Sequence, residues 1–394
     1  MIKLEKGSVK ILLFMEIILS LSLTYYYLVH AFMFWRTQLL SFNIAYIVQI
    51  LFFILPFGLL IFWRYRENIS LFEYSLIITI VLYSVLSTRW RPDAHWYRDS
   101  LHWSIMGIGL GVFISREKLK PWVFWIPLIV ITITILYNIL VLDVVVVSKV
   151  FAMNRNRYAM ILVALGFLGL TNYSLNERLD TFPAFLMAFI TFGLSYYSRS
   201  RAALLVTSIM TVFVFGCMAY SSYKRSYNQK RVSLNIRIAV LAVLLLALVG
   251  LIIYITKNSR LGTTGIKDVS RKKMYQAFFK ELNFKTFLIG FDTVLVTGGF
   301  KHVHNSFFQA IIDVGIGSLY LFFQFIMASW YYVKQRSSLL VILGLIFIYS
   351  LVDHIIYVRF FDIVLFPLII SAFYRNRTFK AEKNNFNSAY SSTW

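Results

Sequence analysis

The side chains of this chain that can do chemistry are arginines and histidines, and both gather where apolar runs end. His302-Val303-His304-Asn305 closes the only long polar stretch, about residues 257–311. Histidine is the natural proton acceptor near neutral pH. Arg199 and Arg201 precede the apolar run Ala202-Ala203-Leu204-Leu205-Val206. On one helix two residues so spaced diverge by about 200°, so only one is expected to face the protein interior. Arg201, leading directly into the apolar run, is the candidate. Within the polar stretch, Met274, Phe278 and Leu282 recur every fourth residue behind Arg271-Lys272-Lys273. That spacing predicts an amphipathic helix from a Ser270 cap to Asn283, lying along the membrane surface with Arg271 beside its apolar face. Last, Asp353-His354-Ile355-Ile356-Tyr357-Val358-Arg359 offers an aspartate that orients a histidine or pairs with Arg359. A plain ion pair or a snorkelling arginine is the structural alternative at any one of these positions.

The elements that must hold these groups are membrane helices. Of 394 residues, 59% are hydrophobic and 14% charged, well below the quarter usual for soluble domains. Apolar runs at about 11–32, 39–63, 71–88, 100–115, 121–142, 158–174, 181–198, 202–222, 237–256, 314–333, 337–352 and 360–374 predict an all-α polytopic protein of about twelve spans. Glu16 and Asp362 are exceptional charges inside spans. The predicted division is a membrane bundle of nine helices over 1–256, a long loop over 257–311, and three helices with a basic tail over 312–394. A loop of that length is functional or disordered, and Phe278, Phe279, Phe284, Phe287, Phe291 and Phe300 argue for order. The basic N-terminus followed by an apolar run reads as a retained first span. Cys217, the one cysteine, excludes an intramolecular disulfide and reads as a small buried hydrophobe.

A net charge of +22 need not mean nucleic acid, because membrane proteins carry basic loops for topology. An even helix count puts both termini on one side. If that side is cytoplasmic, the inner loops hold 20 of the 39 Lys and Arg and the short outer loops hold 10. The positive-inside rule therefore places the termini in the cytoplasm and the long loop outside. Inner loops then split evenly between Lys and Arg. Short outer loops carry Arg36, Arg89, Arg91, Arg98, Arg155, Arg157, Arg199, Arg201 and Arg359 against Lys149 alone. Topology does not distinguish the two residues. The planar guanidinium does, gripping phosphate or carboxylate through two parallel bonds. All six histidines fall at or near the same face. Chemistry on an anionic group there accounts for both asymmetries.

In order along the chain, Ser198-Arg199-Ser200-Arg201-Ala202-Ala203, Ser270-Arg271-Lys272-Lys273-Met274-Tyr275, His302-Val303-His304-Asn305 with Asp313-Val314-Gly315, and Asp353 to Arg359 resemble the O-antigen ligases of Gram-negative lipopolysaccharide assembly. The related O-antigen polymerases share a looser pattern. Ser200-Arg201-Ala202-Ala203 matches the ligase motif, Arg271 its loop arginine, and His304 its functional histidine. Asp313 departs from it, standing where Glu is commoner. The resemblance covers roughly residues 195–365, and the aspartate-to-arginine spacing favours ligase over polymerase. It implies a GT-C-like enzyme of the bacterial inner membrane, multi-pass, with both termini cytoplasmic and its active site facing the periplasm. Such an enzyme moves a glycan from undecaprenyl pyrophosphate to a lipid A–core sugar, without metal or other cofactor.

On that reading the lipid diphosphate lies in a groove beside the long loop. Arg201 and Arg271 neutralise it while His304 takes the proton of the attacking acceptor hydroxyl, and a single displacement inverts the anomeric carbon. Arg199, His302, Asn305, Asp353, Arg359 and Arg157 are the expected substrate-binding residues. A metal held by His302, His304, His354 and Asp353 is disfavoured by surroundings so rich in arginine. The rival enzyme is a polymerase that uses a second lipid-linked repeat as acceptor. The rival of another class is a flippase, for which repeated halves and midplane charges would be expected.

Overall fold

The computed structural model describes residues 6–28, 47–88, 95–143, 155–176, 178–228, 249–250, 253–254, 257, 269–297 and 303–391. Among them every regular element is helical. Six stretches are long and apolar enough to cross a membrane: Val9–Tyr26, Ile47–Tyr65, Trp122–Leu140, Tyr158–Leu175, Arg201–Lys224 and Ser306–Lys334. Leu71–Ser87, Phe182–Ser198 and Leu339–Val352 are shorter apolar helices. The chain is a helical, membrane-embedded protein. It forms two compact units, residues 1–60 with 119–272 and residues 61–118 with 273–394.

In chain order the first helices are α1 (Lys6–Leu28), α2 (Leu55–Tyr65), α3 (Leu71–Thr88), α4 (His95–Arg116), α5 (Trp122–Leu140), α6 (Arg155–Leu175), α7 (Phe182–Ser198) and α8 (Arg201–Asn228). In the first unit α6 is the central helix. Its Tyr158–Leu175 stretch is 94% buried, as expected of a helix that is apolar all round. Two glycines let its neighbours approach. A Cβ on Gly166 would enter the Thr191 side chain, and one on Gly169 would strike Met187. Such small-residue contacts drive helix packing where lipid removes the hydrophobic gain. Glu16, 5% exposed, accepts the Lys120 backbone N–H at 2.9 Å. That span charge holds α1 to the approach of α5.

The second unit continues with α9 (Val269–Glu281) from Lys273 onward, α10 (Phe284–Ile289), α11 (Val294–Thr297), α12 (Ser306–Val314), α13 (Ser318–Lys334), α14 (Leu339–Val352) and α15 (Asp362–Ser391). Its main contact is α4 along α15. Gly107 and Gly111, one turn apart, make it possible: a Cβ on Gly107 would meet the Asp362 carbonyl, and one on Gly111 would lie 2.7 Å from Ile370 Cδ1. At one end of this unit Arg116 pairs with Glu73 and Arg64 with Glu117, each at 2.9 Å. Both arginines therefore serve pairs internal to the unit.

Several predicted boundaries move. Helix α4 begins at His95 rather than 100, and α15 runs through Ser391 rather than ending at 374. A scan for apolar runs registers only the lipid-facing length of a helix and misses its polar extensions. The span predicted at 314–333 begins at Ser306, breaks at a 3₁₀ turn over Gly315–Gly317, and continues to Lys334. Most of the run at 237–256 lies outside the described residues. The loop helix is also corrected. It starts at Val269, so Ser270 lies inside its first turn rather than capping it. Its apolar face does not lie on lipid. Met274 and Phe278 are buried against Phe291, Val296, Val303 and Ile312, with Leu282 packed alongside, and Phe278 stacks on Phe308 with ring centres 4.3 Å apart. Aromatic and aliphatic partners from the polar stretch and from the helix that follows it claim that face.

Two glycines pin this loop to the membrane helices. Gly290 has φ 76 and ψ −177, a region only glycine occupies readily, and a Cβ there would enter the Ile312 carbonyl. The next residue, Phe291, donates its N–H to that carbonyl at 2.8 Å. Opposite it, a Cβ on Gly315 would lie 2.6 Å from both Gly290 N and Leu288 O.

Candidate functional site: a histidine–aspartate pair beside an arginine turn

Helix α12 starts where the polar stretch ends, and Asn305 is its cap. The Asn305 Oδ1 accepts the N–H groups of Phe307 at 2.9 Å and Phe308 at 3.1 Å, satisfying donors that a helix start leaves open. Its Nδ2 donates to Leu351 O at 3.2 Å. Ser306 completes the seam, donating to Asp353 O at 3.0 Å and accepting the Ile355 N–H at 2.9 Å. Tyr275 on α9 reaches the same place, its hydroxyl 3.2 Å from His304 O and 3.0 Å from Leu351 O. On the other side Val303 donates its N–H to Gln309 Oε1 at 2.8 Å. Gln309 Nε2 donates to Asp313 at 2.7 Å, and Tyr83 on α3 donates to the other Asp313 oxygen at 2.8 Å. The backbone on both sides of His304 is therefore fixed from three helices.

This frame brings His304 to Asp353, with Nδ1 3.3 Å from Oδ1. The same carboxylate oxygen accepts the His354 N–H at 2.9 Å, which fixes its direction. A carboxylate facing Nδ1 favours the tautomer with its proton there, leaving Nε2 as the basic nitrogen. The His304 side chain is 29% exposed and that of Asp353 15%, so the imidazole is held yet reachable.

Arg359 is set by a different device. Its Nη2 and Nε lie 2.9 and 3.3 Å from His354 Nδ1. A guanidinium only donates, so Nδ1 of His354 is the acceptor in this contact. The turn leading to Arg359 carries two consecutive left-handed residues, Tyr357 at φ 65 and Val358 at φ 58. For a β-branched valine this is costly, on the order of 1–3 kcal/mol. Buried Asp362 holds the turn, accepting the N–H groups of Tyr357 at 2.8 Å and Arg359 at 3.2 Å, while Ser104 donates to it from α4. Burial, reinforced by the Asp362 carboxylate, pushes the Tyr357 phenol above its ordinary range, so it stays neutral.

Arg199 and Arg201 belong to the first unit. Arg199 is the left-handed cap of α7, φ 58 and ψ 24, and is exposed. Ser198 ties the turn, donating to Ser195 O at 2.6 Å and accepting the Ser200 N–H at 3.3 Å. Arg201 opens α8 and is half-buried. The two differ in exposure because Arg199 stands outside the helix, not because they diverge by 200° along it. Arg271 lies in the first turns of α9 and Arg157 in those of α6, but both side chains are outside the described residues. His302, Arg36, Arg89, Arg91 and Lys149 lie outside them altogether.

The second unit thus joins His304, Asn305, Asp353 and Arg359, the last through His354. Sequence reasoning passed over Tyr275, Ser306, Gln309 and the His354–Arg359 contact. Only the Asn-Ser pair before an apolar helix, an ordinary start signal, could have flagged part of this seam. Among the described residues no three His, Cys, Asp or Glu side chains form a group that could hold a metal ion. The arrangement can take a proton from a hydroxyl and present positive charge nearby. Compared with known proteins, the chain matches no family model and no curated protein.

Proposed function

We propose that the chain is a glycosyltransferase of the O-antigen ligase type. It moves a glycan from undecaprenyl pyrophosphate to a lipid A–core hydroxyl at the periplasmic face of the bacterial inner membrane. The proposal includes twelve spans with both termini in the cytoplasm. One observation carries it: His304 paired with Asp353 in a half-exposed position. In the proposed step the acceptor oxygen attacks the anomeric carbon as the bond to the diphosphate breaks. The bonding electrons leave with the pyrophosphate, and the acceptor proton passes to His304 Nε2. Asp353 holds the imidazole and stabilises it once protonated. Guanidinium charge from Arg201 and Arg271 offsets the charge developing on the leaving group; these roles rest on the resemblance of their motifs. Arg359, turned by His354, binds the acceptor side.

The test is transfer by purified protein between a defined lipid-linked glycan and lipid A–core. Product together with free undecaprenyl pyrophosphate is expected. Elongation of the donor when lipid A–core is withheld would instead make the chain a polymerase.

A further inference from the structure

The loop helices carry a second surface, distinct from the face that Met274 and Phe278 bury. On α13 and the turn before it, Ile316, Leu319, Phe323, Ile326 and Trp330 are all exposed, 46–63% each. Their alternating spacing of three and four makes one apolar stripe along a stretch long and apolar enough to cross a membrane, the face such a span would turn to lipid. The stripe does not stop at Ile316. Gly315 lies against Leu288 and Gly290, so Ile289, 43% exposed, continues it onto the loop. Val294 and Leu295 on α11 are exposed as well. Lys285, also exposed, stands one turn before Ile289 on α10 and therefore shares its face.

We infer that α10 and α11 are seated in the headgroup layer of the bilayer, with Ile289, Val294 and Leu295 at the acyl boundary and Lys285 on lipid phosphates. The occupant is the bulk phospholipid leaflet. Two features argue for it: continuity with the lipid-facing stripe, and a cation placed one turn from the apolar contact, as in interfacial helices. The loop is thereby fixed at a set depth, held by Gly290 and Gly315 on one side and by lipid on the other. The inference does not depend on glycosyl transfer.

Spin labels on the full chain test it. Single cysteines replacing Ile289, Leu295 and, as a solvent reference, Lys273 would be introduced in a Cys217→Ala background. The protein would be reconstituted in vesicles of phosphatidylethanolamine and phosphatidylglycerol. At 289 and 295 collision with lipid-soluble oxygen should exceed collision with a water-soluble nickel chelate several-fold, with the reverse at 273. Nickel dominating at 289 and 295 would put the surface in water, and low collision with both would mean protein covers it. Either result overturns the inference, whatever the transfer assay gives.

Discussion

His304 is held by contacts that leave its ring chemistry open and its backbone closed. Removing the imidazole should therefore abolish chemistry without loosening the fold. His304→Ala is expected to lose transfer by at least about 10²-fold, the usual scale for a general base, while its melting temperature stays near that of the parent. Asp353→Asn should fall by a comparable factor, since an amide no longer selects the tautomer; unchanged rates in that variant would remove the aspartate from the step. Asn305→Ala behaves differently, losing the α12 cap and the tie to Leu351. A stability loss of about 1 kcal/mol, read by thermal unfolding in detergent, is expected, and Asn305→Asp should restore the cap alone. The roles of Asp353 and Arg359 were only half legible in the sequence. Their spacing allowed Asp353 to meet a histidine or Arg359, but nothing local says that Tyr357 and Val358 turn left-handed and send Arg359 to His354 instead.

Among the elements, the glycine contacts decide which helices can meet. Gly290→Ala forces a side chain into a glycine-only region and into the Ile312 carbonyl, so a cost of about 1–3 kcal/mol is expected. Proteolysis within 269–297 should rise before the membrane helices unfold; unchanged cleavage would show that the loop is not pinned there. Gly111→Leu should prevent α4 from lying along α15, and through Ser104 and Asp362 loosen the Arg359 turn. The Gly107–Gly111 pair was visible in the sequence as two small residues four apart, a known close-packing signal, yet it does not name its partner helix. The Met274-Phe278-Leu282 face was legible too. Periodicity shows that a face is apolar and cannot say whether lipid or protein covers it; Phe291, Val296 and Ile312 do so here.

At the scale of the whole molecule, membrane embedding follows from composition and from the apolar helices, while sidedness rests on counting charges. A reporter fused after Trp394 should be active only in the cytoplasm, and Lys273→Cys in the Cys217→Ala background should react with an impermeant reagent only from the opposite side. Labelling from the cytoplasmic side would invert the topology and detach the arginine asymmetry from any periplasmic substrate. The proposed chemistry has an imidazole positioned by a carboxylate, with guanidinium charge, move a glycan off a lipid diphosphate. The most direct measurement is the rate of transfer from undecaprenyl-pyrophosphate-linked glycan to lipid A–core by purified parent, His304→Ala and Arg201→Lys proteins, together with the anomeric configuration of the product. Inverted product is expected from the parent alone, with the variants folded and nearly inactive. Full-rate transfer by folded His304→Ala, or none by the folded parent, would contradict it.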